Sequence, residues 1–448
     1  MVLKMAEAAV NAILPSKYFV PTAVAILVVV VVHAFAQGRT TSRERDLHAR
    51  TILITGGFTP SGLILIQSLA ERGAHIIALS QKPIESPEVD ILVTLLRSST
   101  KNDQIFAEEC DLTSPNSVRS FCMRFLTGKE QRLDALVFAH EYQHIGSIFS
   151  SDSVSSASEQ RHEASLATFL IITLLLPALL VAPIERDIRI VNVVNPFYAA
   201  AAPSYSPVKP VAKSSSLFLH EGRRSLQMAI FTRHLQRILD ALPSGAQVPK
   251  TEENTSTVHV VSERVQKSNI VAVSVCPGIS RSDTIAPLLS ADSNSVRSTT
   301  GIFFYILLQP FLRLLTKAPA SAIQSILHVL FLPTPFKSAP LKSGPSDPVL
   351  GDALPEEVLK AGALYRECAV VNLKVPPLER PPSSLDSGKK GEEKDIPIPD
   401  DGEWGGVDLG QSVWEHFETA LKEWEKAHPA PDEKPSQESS SPPESVVG

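Results

Sequence analysis

The run Thr55-Gly56-Gly57-Phe58-Thr59-Pro60-Ser61-Gly62 follows a short β-branched segment, TILIT, and precedes an apolar helical pattern over 63–72. Glycines between a strand and a helix permit a tight turn and aim the free N–H groups of the helix at an anion, so such a turn is suited to holding a pyrophosphate. Pro60 works against this, because it has no N–H and sets a ring where the backbone must approach the ligand. The hydroxyls of Thr59 and Ser61 are the compensating donors. A turn that merely caps its own helix is the plainer alternative. His140 and His144 stand four apart without a cysteine or carboxylate at ligand spacing, so no metal is expected and both read as solvated loop histidines. Tyr205 and Lys209 have the spacing of an acid/base couple, but Pro207 and Pro210 exclude the helix that would place the lysine beneath the ring. Cys110, Cys122, Cys276 and Cys368 contain no CxxC pair, so they predict buried reduced thiols rather than disulfides or zinc.

The elements that must position these groups alternate in type. TILIT (51–55), HIIALS (75–80), AEECDL (107–112), LDALVFA (133–139), RIVNVV (189–194) and NIVAVSV (269–275) are strand candidates. Helical patterns lie between them at 63–72, 117–126, 164–181 and 223–239. This alternation predicts an α/β fold, a Rossmann-type doubly wound parallel sheet. The stretch 164–181 is apolar enough to imitate a membrane span. Pro177 and Pro183 are expected to break it, and the strand that follows closely favours a buried helix. The shorter 302–315 carries Pro310 and Arg313, and an interfacial helix and a core or lid helix remain equal readings of it. Residues 243–268 are polar and read as a surface insertion.

Residues 19–36 form a charge-free apolar run, about the minimum that crosses a bilayer as a helix. Ala34-Phe35-Ala36 imitates a cleavage site, so a removed signal peptide is the alternative to a signal-anchor. Arg39, Arg43, Arg45 and Arg50 follow the run, against Lys4 and Lys17 before it, which favours an anchor with the globular part in the cytosol. The net charge of −6 arises in the tail, since 381–448 holds 16 acidic and 6 basic residues. No basic stripe with interleaved aromatics is present, so nucleic acid is not an expected partner. All three tryptophans lie in that tail. Trp414, Phe417, Leu421 and Trp424 share one face of a helix over 412–427, which docks on the main domain or, on a sharper reading, on a partner protein. The organisation expected is a tail (1–18), a signal-anchor (19–37), a Rossmann domain (48–335) with an extension (336–375), a linker (376–411), the amphipathic helix (412–427) and a disordered end (428–448).

Taken in order, several of these segments resemble the short-chain dehydrogenase/reductase superfamily, and within it the membrane-associated retinol-dehydrogenase-like branch and an uncharacterised fungal family of that type. TGGFTPSG resembles its TGxxxGxG turn, CDLT its Asp-Leu after the third strand, RIVNVV its RIVNVSS, SLQMAIFTRHL its KLANILFTREL and VCPGISRS its HPGxxxT/S. The resemblance implies a nicotinamide cofactor on Thr55, Gly56, Gly57, Thr59, Ser61, Gly62, Lys82, Asp111, Leu112, Pro277, Gly278 and Ser282. It implies NADP over NAD, because Ser80, Gln81 and Lys82 include no acid for a ribose 2′-hydroxyl; a chain that binds no dinucleotide is an equal alternative. It also implies hydride transfer by an Asn/Ser/Tyr/Lys tetrad, yet those positions hold Ala164, Asn195, Glu221 and Ser225. Glu221 is then expected in ordinary contacts with Arg224 or Ser225 on a helix surface. Phe138–Glu141 stands in place of the family's Asn-Asn-Ala-Gly. The expected function is a membrane-anchored, non-catalytic binding or scaffolding module. The alternatives are an NADP-dependent oxidoreductase of lipophilic alcohols or ketones and a tether acting through its acidic tail.

Overall fold

In the computed structural model of the protein, the residues described are 19–128, 132–142, 145–149, 154–183, 186–206, 216–242, 268–291, 298–334, 357–378, 398 and 400–429. His144, Lys209 and most of the 243–268 insertion lie outside them.

Eight strands make one sheet: β1 (Thr51–Thr55), β2 (His75–Ser80), β3 (Ile105–Glu109), β4 (Ala135–Phe138), β5 (Ile188–Val193), β6 (Ile270–Cys276), β7 (Leu364–Arg366) and β8 (Ala369–Val371). Their order is β3-β2-β1-β4-β5-β6-β7-β8. All neighbours are parallel except the β7–β8 hairpin. Every residue of β1, β4, β5 and β6 is buried, as expected for strands covered by helices on both faces. The chain order reverses between β1 and β4, where Thr55 pairs with Phe138. In a doubly wound sheet the carboxyl edge at that reversal is where ligands sit.

The longer helices are α1 (Phe19–Gln37), α2 (Pro60–Ala70), α3 (Pro87–Thr100), α4 (Pro115–Thr127), α5 (Val154–Leu180), α6 (Leu217–Ala241), α7 (Thr299–Leu315), α8 (Gln324–Phe331) and α9 (Gly406–Ala427). The apolar side chains of α2, α3 and α8 cover one face of the sheet. Those of α4, α5 and α6 cover the other, and α9 adds a further layer outside α5 and α6.

Four sequence expectations change. Helix α5 runs on through Pro177 to Leu180 instead of breaking there, and it is a mostly buried core helix. The third strand begins at Ile105 and ends at Glu109, so Cys110-Asp111-Leu112 lies beyond it. The domain does not stop at 335, because β7 and β8 come from the stretch taken as its extension and complete the sheet. The tail helix starts at Gly406, within the stretch taken as linker and ahead of Ser412, because Arg237 gathers that stretch in. Its guanidinium donates to the carbonyls of Gly406 (3.0 Å) and Glu403 (2.6 Å) and pairs with Asp401. Phe417 stacks on Phe169 at 5.5 Å and Trp414 meets Phe169 edge-on at 5.3 Å, so the apolar face of α9 is used within the chain.

Candidate functional site

Three features converge at the carboxyl edge of β1 and β4: the glycine turn, the residues after β4 and the loop after β6. Gly56 has φ +68, and a Cβ there would stand 2.7 Å from the His140 backbone nitrogen. Gly62 is equally constrained, since a Cβ would run into the carbonyl oxygens of Gly56 and Gly57. Thr59 caps α2, its hydroxyl accepting from Gly62 N–H (3.0 Å) and donating to the Gly56 carbonyl (2.7 Å). The capping alternative is therefore realised in Thr59.

The anion seat at the start of α2 is taken by a side chain of the protein itself. The Asp283 carboxylate accepts from the Ser61 N–H (3.1 Å) and the Ser61 hydroxyl (2.6 Å), and also from the hydroxyls of Ser280 (2.9 Å) and Ser282 (2.7 Å). Asp283 sits in a short π-helical turn, Arg281–Ile285, and is 1% exposed. An anion at a helix N-terminus with this many donors is well stabilised. Thr59, Ser61, Gly62, Tyr142, Val193, Pro277 and their neighbours enclose a residual cavity of only about 10 Å3.

Further residues fill the crevice. His140 is no solvated loop histidine: it is 3% exposed, and burial pushes its pKa down to about 4. Nε2 lies 3.0 Å from the Ala164 carbonyl, which can only accept, so Nε2 carries the proton and Nδ1 accepts from the Thr55 hydroxyl at 2.7 Å. Glu141 is buried beside it, and desolvation raises its pKa. The Tyr142 hydroxyl donates to the Gly278 carbonyl (2.9 Å), while Lys317 Nζ donates to the preceding carbonyl, Pro277 (2.9 Å). Burial raises the tyrosine's pKa well above its ordinary range.

The positions aligned with the catalytic tetrad do come together. Asn195 N–H donates to the Ser225 hydroxyl (3.0 Å), Asn195 Nδ2 donates to the Glu221 carbonyl (3.3 Å), and Ala164 is fully buried against His140. Glu221, however, is not on a helix surface. It is 2% exposed, and its carboxylate is held by Arg161 (2.8 Å), Arg224 (2.9 Å) and the Gly146 N–H (3.2 Å). Both oxygens are engaged, and no lysine or tyrosine occupies this position. A carboxylate clamped by two guanidiniums forms a buried ion cluster.

The outer cofactor positions are also satisfied internally. Asp111 Oδ1 accepts from the Thr113 N–H (2.9 Å) and hydroxyl (2.8 Å), while Ser114 caps α4. Leu112 is core, and exposed Lys82 pairs with Glu88.

Comparison with known proteins finds relatives among uncharacterised oxidoreductases. An uncharacterised oxidoreductase of Schizosaccharomyces pombe, pbr1, is 24% identical over 325 residues, covering 70% of this chain and 78% of that one. An uncharacterised oxidoreductase of Saccharomyces cerevisiae is 29% identical over 312 residues, 67% of this chain and 72% of its own. The chain is similar to oxidoreductases, and its motifs resemble those of the short-chain dehydrogenase/reductase superfamily. Mouse retinol dehydrogenase 13 is 29% identical over 125 residues, 27% of this chain and 36% of that enzyme. No family model matches. Among solved structures, a short-chain dehydrogenase from Salmonella enterica is similar with TM-score 0.45 and 14% identity, over 73% of this chain and 99% of that one. One from Shigella flexneri, complexed with NADP, has TM-score 0.40 and 14% identity, over 63% and 93%.

Within this superfamily frame the residues present do not fit a nicotinamide dinucleotide. Asp283 sets like charge at the pyrophosphate seat, Pro60 withholds an N–H there, and His140-Glu141 stand where the family has Ala-Gly. Sequence reasoning missed Asp283, Tyr142, Arg161 and Lys317. Asp283 directly follows the matched Ser282, yet its partner Ser61 lies 222 residues away, and only the fold joins them.

Proposed function

We propose that this chain is a membrane-held member of the superfamily that has given up hydride transfer and acts as a binding or scaffolding module. The observation that carries this reading is the Asp283 carboxylate on Ser61, in the place where a dinucleotide of this superfamily sets its phosphates. The clamped Glu221 and the absence of a lysine at Ser225 support it, since no group there can lower the pKa of an acid/base tyrosine. Helix α1 is the proposed anchor. None of 20–37 is buried, its mean hydropathy is 2.2, and the arginines after it favour a single pass with the globular part in the cytosol.

A second reading rests on Tyr142 and Lys317, which reach successive carbonyls of the loop after β6 at the sheet's carboxyl edge. In that reading the chain is an oxidoreductase of lipophilic alcohols or ketones, using NADP and a relocated couple. The raised pKa of Tyr142 argues against it, because the family's chemistry needs that pKa lowered.

The deciding experiment is a calorimetric titration of NADPH into the full chain in detergent, followed by turnover on retinoids, ketosteroids and long-chain aldehydes. Absence of heat at millimolar NADPH and of turnover is the expected result. Binding with turnover that Tyr142→Phe abolishes would establish the second reading instead.

A further inference from the structure

Helix α7 (Thr299–Leu315) is anomalous for a folded domain: of its 17 residues only Gly301 is buried. Phe303 (63% exposed), Leu307 (58%), Phe311 (61%) and Leu315 (58%) recur every fourth residue and form one apolar row, with Ile306 (64%) beside it. Phe149 stacks on Phe304 at 5.8 Å and extends the patch with Ile148 and Ile279, all of them exposed. An apolar surface this continuous marks an interaction site. What covers it is indicated by its neighbour. Helix α7 packs against α1, and the polar end of α1 is bolted to the end of α7: Gln37 Nε2 donates to the Thr316 carbonyl (3.1 Å), and Gln37 Oε1 accepts from the Ala318 N–H (3.0 Å). The two apolar surfaces are thus continuous. At ~1.5 Å per residue the helix is a little shorter than the ~30 Å hydrocarbon core, and its Arg313 favours a position at the interface.

We infer that α7 is a second membrane contact, an interfacial helix that seats the carboxyl edge of the sheet on the bilayer. The orientation follows from Lys317, just past α7. Its N–H donates to the Ile279 carbonyl (2.9 Å) and its carbonyl accepts from the Arg281 N–H (3.2 Å), so α7 is fixed to the loop that carries Asp283. The crevice then faces lipid, whether or not it binds a dinucleotide. The inference rests on the proposed anchoring by α1.

The test is depth-resolved fluorescence on the full chain in phosphatidylcholine/phosphatidylserine vesicles, in a Cys368→Ser background. An environment-sensitive label is placed at Leu307→Cys or Ile306→Cys, and at Met123→Cys on exposed α4 as control. Doxyl-labelled lipids are expected to quench the labels at 306 and 307 several-fold more than the label at 123, with blue-shifted emission. Vesicle flotation is read on the same samples. Chain that floats with unquenched labels at 306 and 307 overturns this inference and leaves the α1 anchor standing. Chain that does not float overturns both.

Discussion

Ser61 presents its backbone N–H and its hydroxyl to a single carboxylate, that of Asp283, 222 residues further along the chain. The helix that in this superfamily frame points at a pyrophosphate therefore points at a side chain carried on the loop after β6. Hydrogen bonds to a charged group contribute about 1.5–3 kcal/mol, and removal of the carboxylate leaves the donors of Ser61, Ser280 and Ser282 without it. Asp283→Ala is expected to lose about 2 kcal/mol in a urea titration. If the carboxylate is what excludes anions, the same variant gains NADPH or pyrophosphate binding that the wild type lacks. A variant as stable as the parent would remove the carboxylate from the account of the fold.

The buried cluster of Glu221, Arg161 and Arg224 yields a prediction that separates structure from chemistry. Glu221→Gln leaves two guanidiniums short of their counter-charge, which in buried pairs costs about 3–5 kcal/mol. Replacing all three with leucine or methionine is expected to recover most of that loss, because buried ion clusters are often no more stabilising than apolar packing. Urea midpoints of the single and triple variants decide it. A triple variant worse than the single one would mean that the charges themselves are required.

The sheet and most helices were legible from the sequence because their signals are local: β-branched runs, apolar periodicity and glycine turns. Asn195, Glu221 and Ser225, singled out in the sequence, lie together in the structure. What the sequence could not supply was the environment. Glu221 looks like a surface residue until Arg161 arrives from α5, and His140 looks like a loop residue until Thr55 and Ala164 enclose it. Strands β7 and β8 are three residues each, too short for periodicity to reveal. Pro177 was misjudged because packing holds α5 helical through it.

Acid should weaken the fold through its buried histidines. His140 and His234 both have pKa values depressed to about 4, in each case chiefly by burial, against about 6.5 in the unfolded chain. Between those values the unfolded state binds protons that the folded state refuses, so stability is full above pH 6.5 and falls as pH drops towards 4. The slope is about 1.4 kcal/mol per pH unit for each histidine. His140→Gln, which keeps a donor for the Ala164 carbonyl, is expected to flatten the profile of urea midpoints between pH 6.5 and 4.5. An unchanged profile would show that His140 does not carry the effect.

The tail makes the last prediction. Trp404, Trp414 and Trp424 are the chain's only tryptophans, so intrinsic emission reports α9 and its lead-in alone. Trp404 and Trp424 are buried, Trp414 lies against Phe169 and Phe231, and Arg237 ties down the turn before the helix. Emission from the native chain should therefore be blue-shifted and poorly quenched by iodide. Phe417→Asp puts a charge between the Phe169 and Phe231 rings, and a carboxylate buried among apolar rings is costly enough to expel the helix. The variant is expected to show red-shifted emission and several-fold stronger iodide quenching, while the far-ultraviolet circular dichroism of the sheet domain persists. If emission stays blue-shifted in Phe417→Asp and also in Arg237→Ala, α9 is held by something other than the aromatic face and the guanidinium described here. If both spectra redden and the sheet domain survives, the aromatic face and the guanidinium together hold the tail, and the sheet domain folds without it.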